Sequence, residues 1–284
     1  MTQTSTAYFD NLPEKFEEGN QEALAAFGKH IHWGYWENPK TATGNLDDFA
    51  VAADNLSKKV CQAASIENNQ NILDVGCGFG GTISWLNDNF NHLNLVGVNI
   101  DAQQLVRARE KVLPQGNNTI DFIEANACQI PLMQPDFDRV LALECIFSFP
   151  SREQFFKEAY RLLKEEGKLT ICDFLPTKNF AGIWQWIEHK INPLVGQTYG
   201  KPKAKNALPI NFIPISKYEE IAKKTGFKLR KIEDINRNTL PTYPLVNRLM
   251  CQDGDDNMVR STQGLEFVSK LGLIRYMILD FEKD

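Results

Sequence analysis

The middle of the chain alternates short apolar runs with segments whose apolar residues recur at helical spacing. The apolar runs are 71–75, 94–100, 119–124, 139–143 and 168–172. Helical patterns follow at 82–87, 102–112 and 153–164. Repeated strand–helix units of this length join parallel strands, because each helix carries the chain back to the same edge of the sheet. Two later runs, 227–235 and 273–279, raise the predicted number of strands to seven. The pattern predicts an α/β fold: a Rossmann-like, doubly wound, mostly parallel seven-stranded sheet with helices on both faces.

The flanks of this pattern define the expected domain organisation. Residues 1–60 read as an N-terminal helical segment that covers the ligand site, with helices at 14–26 and 47–64. Residues 61–174 form the predicted Rossmann-like core. Between 175 and 215, proline and glycine interrupt a helical pattern, which predicts a helical lid inserted after the fifth strand. Residues 216–284 would complete the sheet.

The first predicted strand runs into a turn that contains four glycines within six residues, Gly76 to Gly81. Strand, glycine turn and helix together aim backbone N–H groups at a small ligand. The spacing also fits the dinucleotide fingerprint, which is a weak signal by itself. Asp74 separates the two interpretations, because its carboxylate would face a pyrophosphate but would attract a ligand that carries an ammonium or sulfonium group. A nicotinamide-dependent oxidoreductase and a non-catalytic nucleotide-binding module remain the alternatives.

Composition narrows the range of partners. The 284 residues are 43% hydrophobic and 24% charged, as in an ordinary globular protein. A formal net charge of −5 disfavours a nucleic-acid partner. No apolar run is long enough for a membrane span, and six scattered cysteines without signal-peptide features favour the cytoplasm. Neither the cysteines nor the four histidines have the spacing of a metal site, so no metal is expected.

Residues 30–36 concentrate three aromatic side chains and two histidines. Such a segment is bulky for a routine loop, and two interpretations are open. The segment forms either an aromatic clasp packed over the core or a wall of the ligand site.

Four stretches, 74–80, 97–100, 137–140 and 162–169, occur in the order and spacing of a known family. Together they resemble the core of the class I S-adenosylmethionine-dependent methyltransferases, over roughly residues 65–175. The stretch 32–36 is similar to the small-molecule group that includes tocopherol, sarcosine and natural-product sugar O-methyltransferases. The resemblance implies S-adenosyl-L-methionine as the cofactor.

The resemblance also implies cofactor-binding positions, carried over one by one. Asp74, Gly76 and Gly78 would hold the methionine end, where the carboxylate balances the ammonium charge. The other implied cofactor residues are Asn99, Ile100, Gln104, Asn126, Ala127, Leu143 and Trp36, and Glu144 would sit with Leu143 beneath the sulfonium.

Asn99 and Asn126 stand where many relatives carry an acid that grips the ribose or the adenine. Asp101 is the second candidate for the ribose. Both asparagines also suit a purely local role, in which they cap the turns that follow them.

The residues expected to face the methyl acceptor differ from the pattern of the family. Sugar and phenol O-methyltransferases of this group commonly carry a histidine just after the glutamate of the fourth strand, whereas residues 144–150 contain none. A hydroxyl acceptor needs a base for its proton. The candidates are Asp173, His189 and His32, with His30 beside the last.

Phe147, Trp184 and Trp186 indicate an apolar, ring-bearing substrate, although aromatic residues at these positions also suit a core. O-methylation of a small metabolite is the predicted function, and N- or C-methylation without a dedicated base is the alternative. The expected partner is a small molecule. The oligomeric state is left open, with a homodimer considered.

Overall fold

The computed structural model describes residues 27–134, 136–187, 189, 211–252 and 256–284. The predicted helix 14–26 lies outside these ranges. Of the predicted lid, 175–187, 189 and 211–215 are described, and the remainder lies outside them.

One seven-stranded sheet organises the described part of the chain, in the order β3-β2-β1-β4-β5-β7-β6. Its strands are β1 (Asn71–Val75), β2 (Asn94–Asn99), β3 (Thr119–Glu124), β4 (Phe137–Leu143), β5 (Leu163–Pro176), β6 (Phe227–Asp234) and β7 (Ile274–Lys283). The first five strands pair in parallel, and β7 runs antiparallel between β5 and β6. The predicted α/β, mostly parallel seven-stranded fold is confirmed.

Among the described helices, the first precedes β1, and the others lie between strands in the chain. They are α1 (Leu46–Ala63), α2 (Gly81–Asn89), α3 (Ala102–Lys111), α4 (Arg152–Leu162), α5 (Ile215–Thr225), α6 (Asn236–Thr239), α7 (Thr242–Gln252) and α8 (Asp256–Lys270). Residues 181–187 are also helical. Asn45 caps α1 by accepting from the Asp48 N–H, and Asp101 caps α3 in the same way.

Successive residues of β1 point into different cores, as a strand buried on both faces requires. Ile72 packs in a cluster that includes Leu56 of α1 and Leu86 of α2. Leu73 packs in a second cluster with Phe155 of α4. Helices therefore cover both faces of the sheet, and its carboxyl edge is left for a ligand.

The fifth strand differs most from its prediction. The preceding helix was predicted to reach residue 164 but ends at Leu162. The strand was predicted at 168–172, whereas β5 begins at Leu163 and ends at Pro176. The extension follows from pairing, because nine residues from Lys168 to Pro176 align with β7. Glu166, with φ +61°, lies in β5 where its pairing with β4 shifts register between Leu163 and Lys168.

Within the described ranges, no helix is long and apolar enough to cross a membrane. No group of three or more His, Cys, Asp or Glu side chains there could hold a metal ion. Five cysteines are buried free thiols, which suits their use as small apolar side chains.

Candidate active site

The carboxyl ends of β1 to β4 open into one cavity of about 1070 Å³, its mouth included. This edge is where an open α/β sheet binds its ligands. Nine of the ten predicted cofactor residues line it: Asp74, Gly76, Gly78, Asn99, Ile100, Gln104, Asn126, Ala127 and Leu143. Glu144 lines it as well.

The turn after β1 requires glycine at residue 76. Its φ is +75°, a left-handed conformation that strains other residues. A Cβ at this position would lie 2.5 Å from the Cys145 Cβ. The Gly76 N–H donates to the Val98 carbonyl at 2.7 Å, which fixes the turn against β2. The backbone of the turn can therefore approach a ligand closely.

Asp74 places an uncompensated carboxyl group in this cavity. The residue is 2% exposed, and no described group donates a hydrogen bond to it. Burial raises the pKa of the carboxyl to about 7. A buried carboxylate without a partner is costly, and a cationic ligand group would lower that cost. The site thus fits the ammonium and sulfonium charges of S-adenosylmethionine.

Asn99 is hydrogen-bonded by its own surroundings. Its amide oxygen accepts from the Ile100 N–H at 2.8 Å, and its NH₂ group donates to Gln104 Oε1 at 2.9 Å. The Gln104 NH₂ group in turn reaches Asp101 Oδ2 at 3.3 Å. This chain of amides ends at the Asp101 carboxylate, which also lines the cavity.

Asn126 caps the turn that follows β3. Its amide oxygen accepts from the Cys128 N–H at 2.9 Å. The local capping role is therefore present for both asparagines, and a role for either in cofactor binding stays a prediction.

Residues 29–33, termed here the cover segment, pack against the glycine turn at one side of the cavity. Lys29, His30, Ile31 and His32 line the cavity. Three contacts hold the segment: His30 Nε2 to Asp54 at 2.7 Å, His32 Nε2 to Ser57 at 3.2 Å, and the Trp33 N–H to Glu144 at 2.7 Å.

His32 is a neutral imidazole. Burial is the main reason that its pKa falls to about 3, and the neighbouring His30 lowers it further. Nδ1 lies 2.9 Å from the Trp33 carbonyl, which can only accept, so this nitrogen carries the proton. Nε2 then accepts from the Ser57 hydroxyl. Both ring nitrogens of His32 therefore have hydrogen-bond partners within the protein. His32 lines the cavity, and its predicted role as a base stays a prediction.

Gly81 tests the cover segment directly. A Cβ on this glycine would meet His30 Nδ1 and would lie 2.5 Å from the Lys29 carbonyl. Its φ is not in the left-handed region, so Gly81→Ala adds a clash without backbone strain. We expect the variant to displace the cover segment, to lose about 1–3 kcal/mol of unfolding free energy and to weaken S-adenosylhomocysteine binding about tenfold. Thermal melts and calorimetric titration would measure both effects.

Gly264→Ala is the matched control, because a Cβ there meets no atom within 4 Å in α8. It should leave binding unchanged and stabilise the fold by up to about 1 kcal/mol. Equal cofactor affinity in Gly81→Ala and the wild type would contradict the closing role of the segment.

Asp173 is fully buried beside the cavity-forming elements and does not line the cavity. Oδ1 accepts from the Phe174 N–H at 2.7 Å, and Oδ2 accepts from the Tyr218 hydroxyl at 2.8 Å with Arg152 at 3.9 Å. Burial raises the pKa of this carboxyl to about 6, against the lowering effect of Arg152. His189 is exposed at the end of the helical stretch that starts at 181. The structure does not bring the three predicted bases together.

The predicted aromatic site residues also lie apart from the cavity. Trp184 stacks on Phe212 with 5.9 Å between ring centroids, and Phe147 meets the same ring edge-on. Trp186 is 64% exposed. Trp36 is buried and donates its indole N–H to Asp48 at 3.0 Å. None of these four is among the described residues that line the cavity, and their roles stay predictions.

Several residues that line the cavity had no role predicted from sequence, among them Thr82, Ser148 and Pro150. Ser148 and Pro150 belong to the run that follows Glu144, whose sequence signal was the absence of a histidine. Lys29 and Ile31 flank His30 in the aromatic stretch for which a wall of the ligand site was one of two interpretations, and both line the cavity.

Comparison with known proteins agrees with this geometry. A family model described as a methyltransferase domain matches residues 73–171. The chain is 25% identical to the methyltransferase GfsG of Streptomyces halstedii, over 84% of this chain and 81% of the relative. It is 24% identical to the 27-O-demethylrifamycin SV methyltransferase of Amycolatopsis mediterranei, over 76% and 73%.

A solved geranyl diphosphate C-methyltransferase from Streptomyces coelicolor, in complex with Mg²⁺, geranyl diphosphate and S-adenosyl-L-homocysteine, superposes with a TM-score of 0.73. That match covers 99% of each chain at 14% identity, so it speaks for the fold. With the methyltransferase domain, the named relatives and the carboxylate-bearing glycine turn in agreement, the chain is a class I S-adenosylmethionine-dependent methyltransferase of the small-molecule type.

Proposed function

We propose that the enzyme transfers the methyl group of S-adenosylmethionine to a hydroxyl group of a small, apolar or ring-bearing metabolite. The observation that carries the proposal is the unpartnered Asp74 carboxyl beside the glycine turn, which fits a cationic methyl donor. The rifamycin relative, whose name specifies an O-methyl position, supports oxygen as the acceptor atom.

Each end of the cofactor has proposed partners in the cavity. Asp74, Gly76 and Gly78 would bind the methionine end, with the carboxylate opposite the ammonium group. Asn99, Ile100, Gln104 and Asp101 lie at the next strand end and would contact the ribose. Asn126 and Ala127 at the third would contact the adenine. S-adenosylmethionine, when bound, supplies the activated methyl group, so the protein has to align the acceptor and exclude water.

The acceptor would enter between the fourth strand end and the cover segment. Phe149 and Pro150 make this side of the cavity apolar, and Glu144 adds a carboxyl group. Phe147, Trp184 and Trp186 remain proposed contacts for a ring-bearing substrate, reached from the lid side. Asp173, His189 and His32 remain the bases predicted from sequence.

A transfer screen tests the proposal. The protein would be incubated with S-adenosylmethionine labelled in its methyl carbon and with metabolite extracts of the source organism. The labelled product would then be isolated and its methyl position assigned by NMR. A methyl ether on a ring-bearing compound of low polarity is the expected product. An N-methyl or C-methyl product would leave the methyltransferase intact and refute the oxygen acceptor.

We also propose a partner, a location and an oligomeric state for the enzyme. A small molecule is its partner, without nucleic acid, and the cytoplasm is its proposed location because of the reduced cysteines. A homodimer is considered and would be measured by sedimentation equilibrium.

A further inference from the structure

Glu144 has an unusual backbone for its position. It directly follows β4, and its φ is +46°. Of the five described non-glycine residues with positive φ, Glu144 alone is buried, since Ser65, Asn69, His92 and Glu166 are all exposed. A strained, buried residue persists where the surrounding structure fixes it, and such residues cluster at functional sites.

The two oxygens of the Glu144 carboxyl have different surroundings. Oε1 accepts from the Trp33 N–H at 2.7 Å and from the Tyr276 hydroxyl. Oε2 has no donor among the described residues, yet it is not enclosed by protein atoms. Because Glu144 lines the cavity, Oε2 is the oxygen open to a bound molecule.

Glu144 lies at the end of β4, next to the strand that carries Asp74. Asp74, the glycine turn and Glu144 stand at the adjacent ends of β1 and β4, whereas the proposed ribose and adenine contacts stand at the ends of β2 and β3. If the glycine turn holds the methionine end, the transferred methyl group and its acceptor lie on the Glu144 side of the cavity.

No positively charged side chain faces the Glu144 carboxyl within the described part of the chain. The ionisable groups that face it are Tyr276 of β7, Cys172 and Asp173 of β5, and the Cys145 thiol, and none of them is a cation. Burial is the main cause that raises the Glu144 pKa to about 8, and Asp173 adds to it. Without a ligand, the group is mostly a neutral acid at pH 7. A nearby cation would favour its ionised form.

We propose that Glu144 is the proton acceptor of the methyl transfer and that the positive charge of the methyl donor is what ionises it. This inference rests on the proposed O-methylation. The acceptor oxygen gains the methyl carbon, and the carbon–sulfur bond breaks with its electron pair on sulfur. Glu144 Oε2 takes the hydroxyl proton. Once the sulfonium charge is gone, the buried carboxyl favours the protonated form, so the proton has no reason to return.

Calorimetry tests the ionisation without any acceptor. At pH 7, binding heats would be measured for S-adenosylmethionine and for S-adenosylhomocysteine in two buffers with different ionisation enthalpies, which gives the protons released by each. Both ligands carry the same ammonium group, so the contribution of Asp74 cancels in the difference. We expect the wild type to release up to about one proton more with S-adenosylmethionine, because the sulfonium charge shifts the Glu144 equilibrium. Glu144→Gln should abolish the difference.

Transfer kinetics test the base. Glu144→Gln should lower kcat for the hydroxyl acceptor about 100-fold or more, with little change in the KM for S-adenosylmethionine. The deficit should shrink for a phenol that is already ionised at the assay pH. Tyr276→Phe, which removes a hydroxyl that donates to Oε1 and also contacts the Cys172 thiol, leaves Oε2 in place and should retain most of the rate. Thermal melts and S-adenosylhomocysteine affinity establish that each variant is folded, and Glu144→Asn, whose side chain tolerates positive φ, replaces Gln if that variant fails to fold.

The outcomes separate this inference from the proposed function. Equal proton release for both ligands, or full activity of Glu144→Gln on a hydroxyl acceptor at every pH, overturns the role of Glu144 and leaves O-methylation standing. If the wild type methylates only amines or carbon atoms, O-methylation and the proton-acceptor role both fail, while the calorimetric difference still reports the ionisation of Glu144.

Discussion

Asp74→Asn is expected to weaken S-adenosylhomocysteine binding by about 30- to 3,000-fold, the largest effect of any single change in the cavity. The substitution keeps the size of the side chain and removes the charge that we propose faces the ammonium group of the cofactor. Removing one member of a buried charge pair costs about 2–5 kcal/mol, and each 1.4 kcal/mol is a factor of ten in affinity. Calorimetric titration of both proteins at pH 7.5 measures the ratio.

The same substitution should stabilise the protein when no ligand is bound. Burial raises the pKa of Asp74 in the fold to about 7, above its ordinary value of 3.8, so the unfolded chain loses this proton first as the pH rises. The ionised side chain therefore costs stability increasingly between about pH 4 and pH 7. Asp74→Asn removes that cost, so its melting temperature should exceed that of the wild type at pH 7.5 and approach it near pH 4.

Asp121→Asn is the matched control, because Asp121 is an exposed aspartate on β3 whose carboxylate accepts only from the neighbouring Phe122 N–H. It should leave the affinity for S-adenosylhomocysteine unchanged. Unaltered affinity in Asp74→Asn would show that the carboxylate does not face the cofactor.

Gly76→Ala is expected to cost about 2–5 kcal/mol of unfolding free energy, a large part of the roughly 5–15 kcal/mol that holds a typical domain. One part is the left-handed backbone, at about 1–2 kcal/mol for a residue with a Cβ. The other is overpacking, at about 1–3 kcal/mol, because the new Cβ would lie 2.5 Å from the Cβ and 2.8 Å from the Sγ of Cys145. Urea unfolding measures the total.

Two further variants separate these parts. Gly44 has nearly the same φ, +74°, but a Cβ there meets nothing within 4 Å, so Gly44→Ala should show only the backbone cost. In Gly76→Ala/Cys145→Gly the clash is relieved, and part of the loss should return. If Gly76→Ala cost no more than Gly44→Ala, the close contact between the glycine turn and Cys145 would be wrong.

The sheet could be predicted from sequence because its information is local. Five apolar runs of strand length, each bounded by a turn or a helix, set the parallel half, and Ile72 and Leu73 show why such runs are apolar throughout: their side chains enter different cores. The length of β5 could not be read in this way. Its extension to Pro176 depends on β7, about a hundred residues later in the chain, and the polar Asp173 within it is satisfied by Tyr218.

The residues predicted at the ends of β1, β2 and β3 line one cavity, because backbone geometry dictates where they lie. A glycine turn after a strand has few alternatives, and Asp74 selects among them. The surroundings of Glu144 could not be predicted, because they come from distant segments. The Trp33 N–H of the cover segment and the Tyr276 hydroxyl of β7 both donate to Glu144. A positive φ at Glu144 has no sequence signature. Glu144 was placed beneath the sulfonium, but the bases predicted from sequence were Asp173, His189 and His32.

One titration tests most directly whether the cavity binds the S-adenosylmethionine type of cofactor. The wild-type protein would be titrated calorimetrically with S-adenosylhomocysteine, and separately with NADH, whose pyrophosphate the Asp74 carboxylate should repel. We expect saturable binding of S-adenosylhomocysteine at one site per chain and no heat from NADH. Binding of NADH with none of S-adenosylhomocysteine would contradict it.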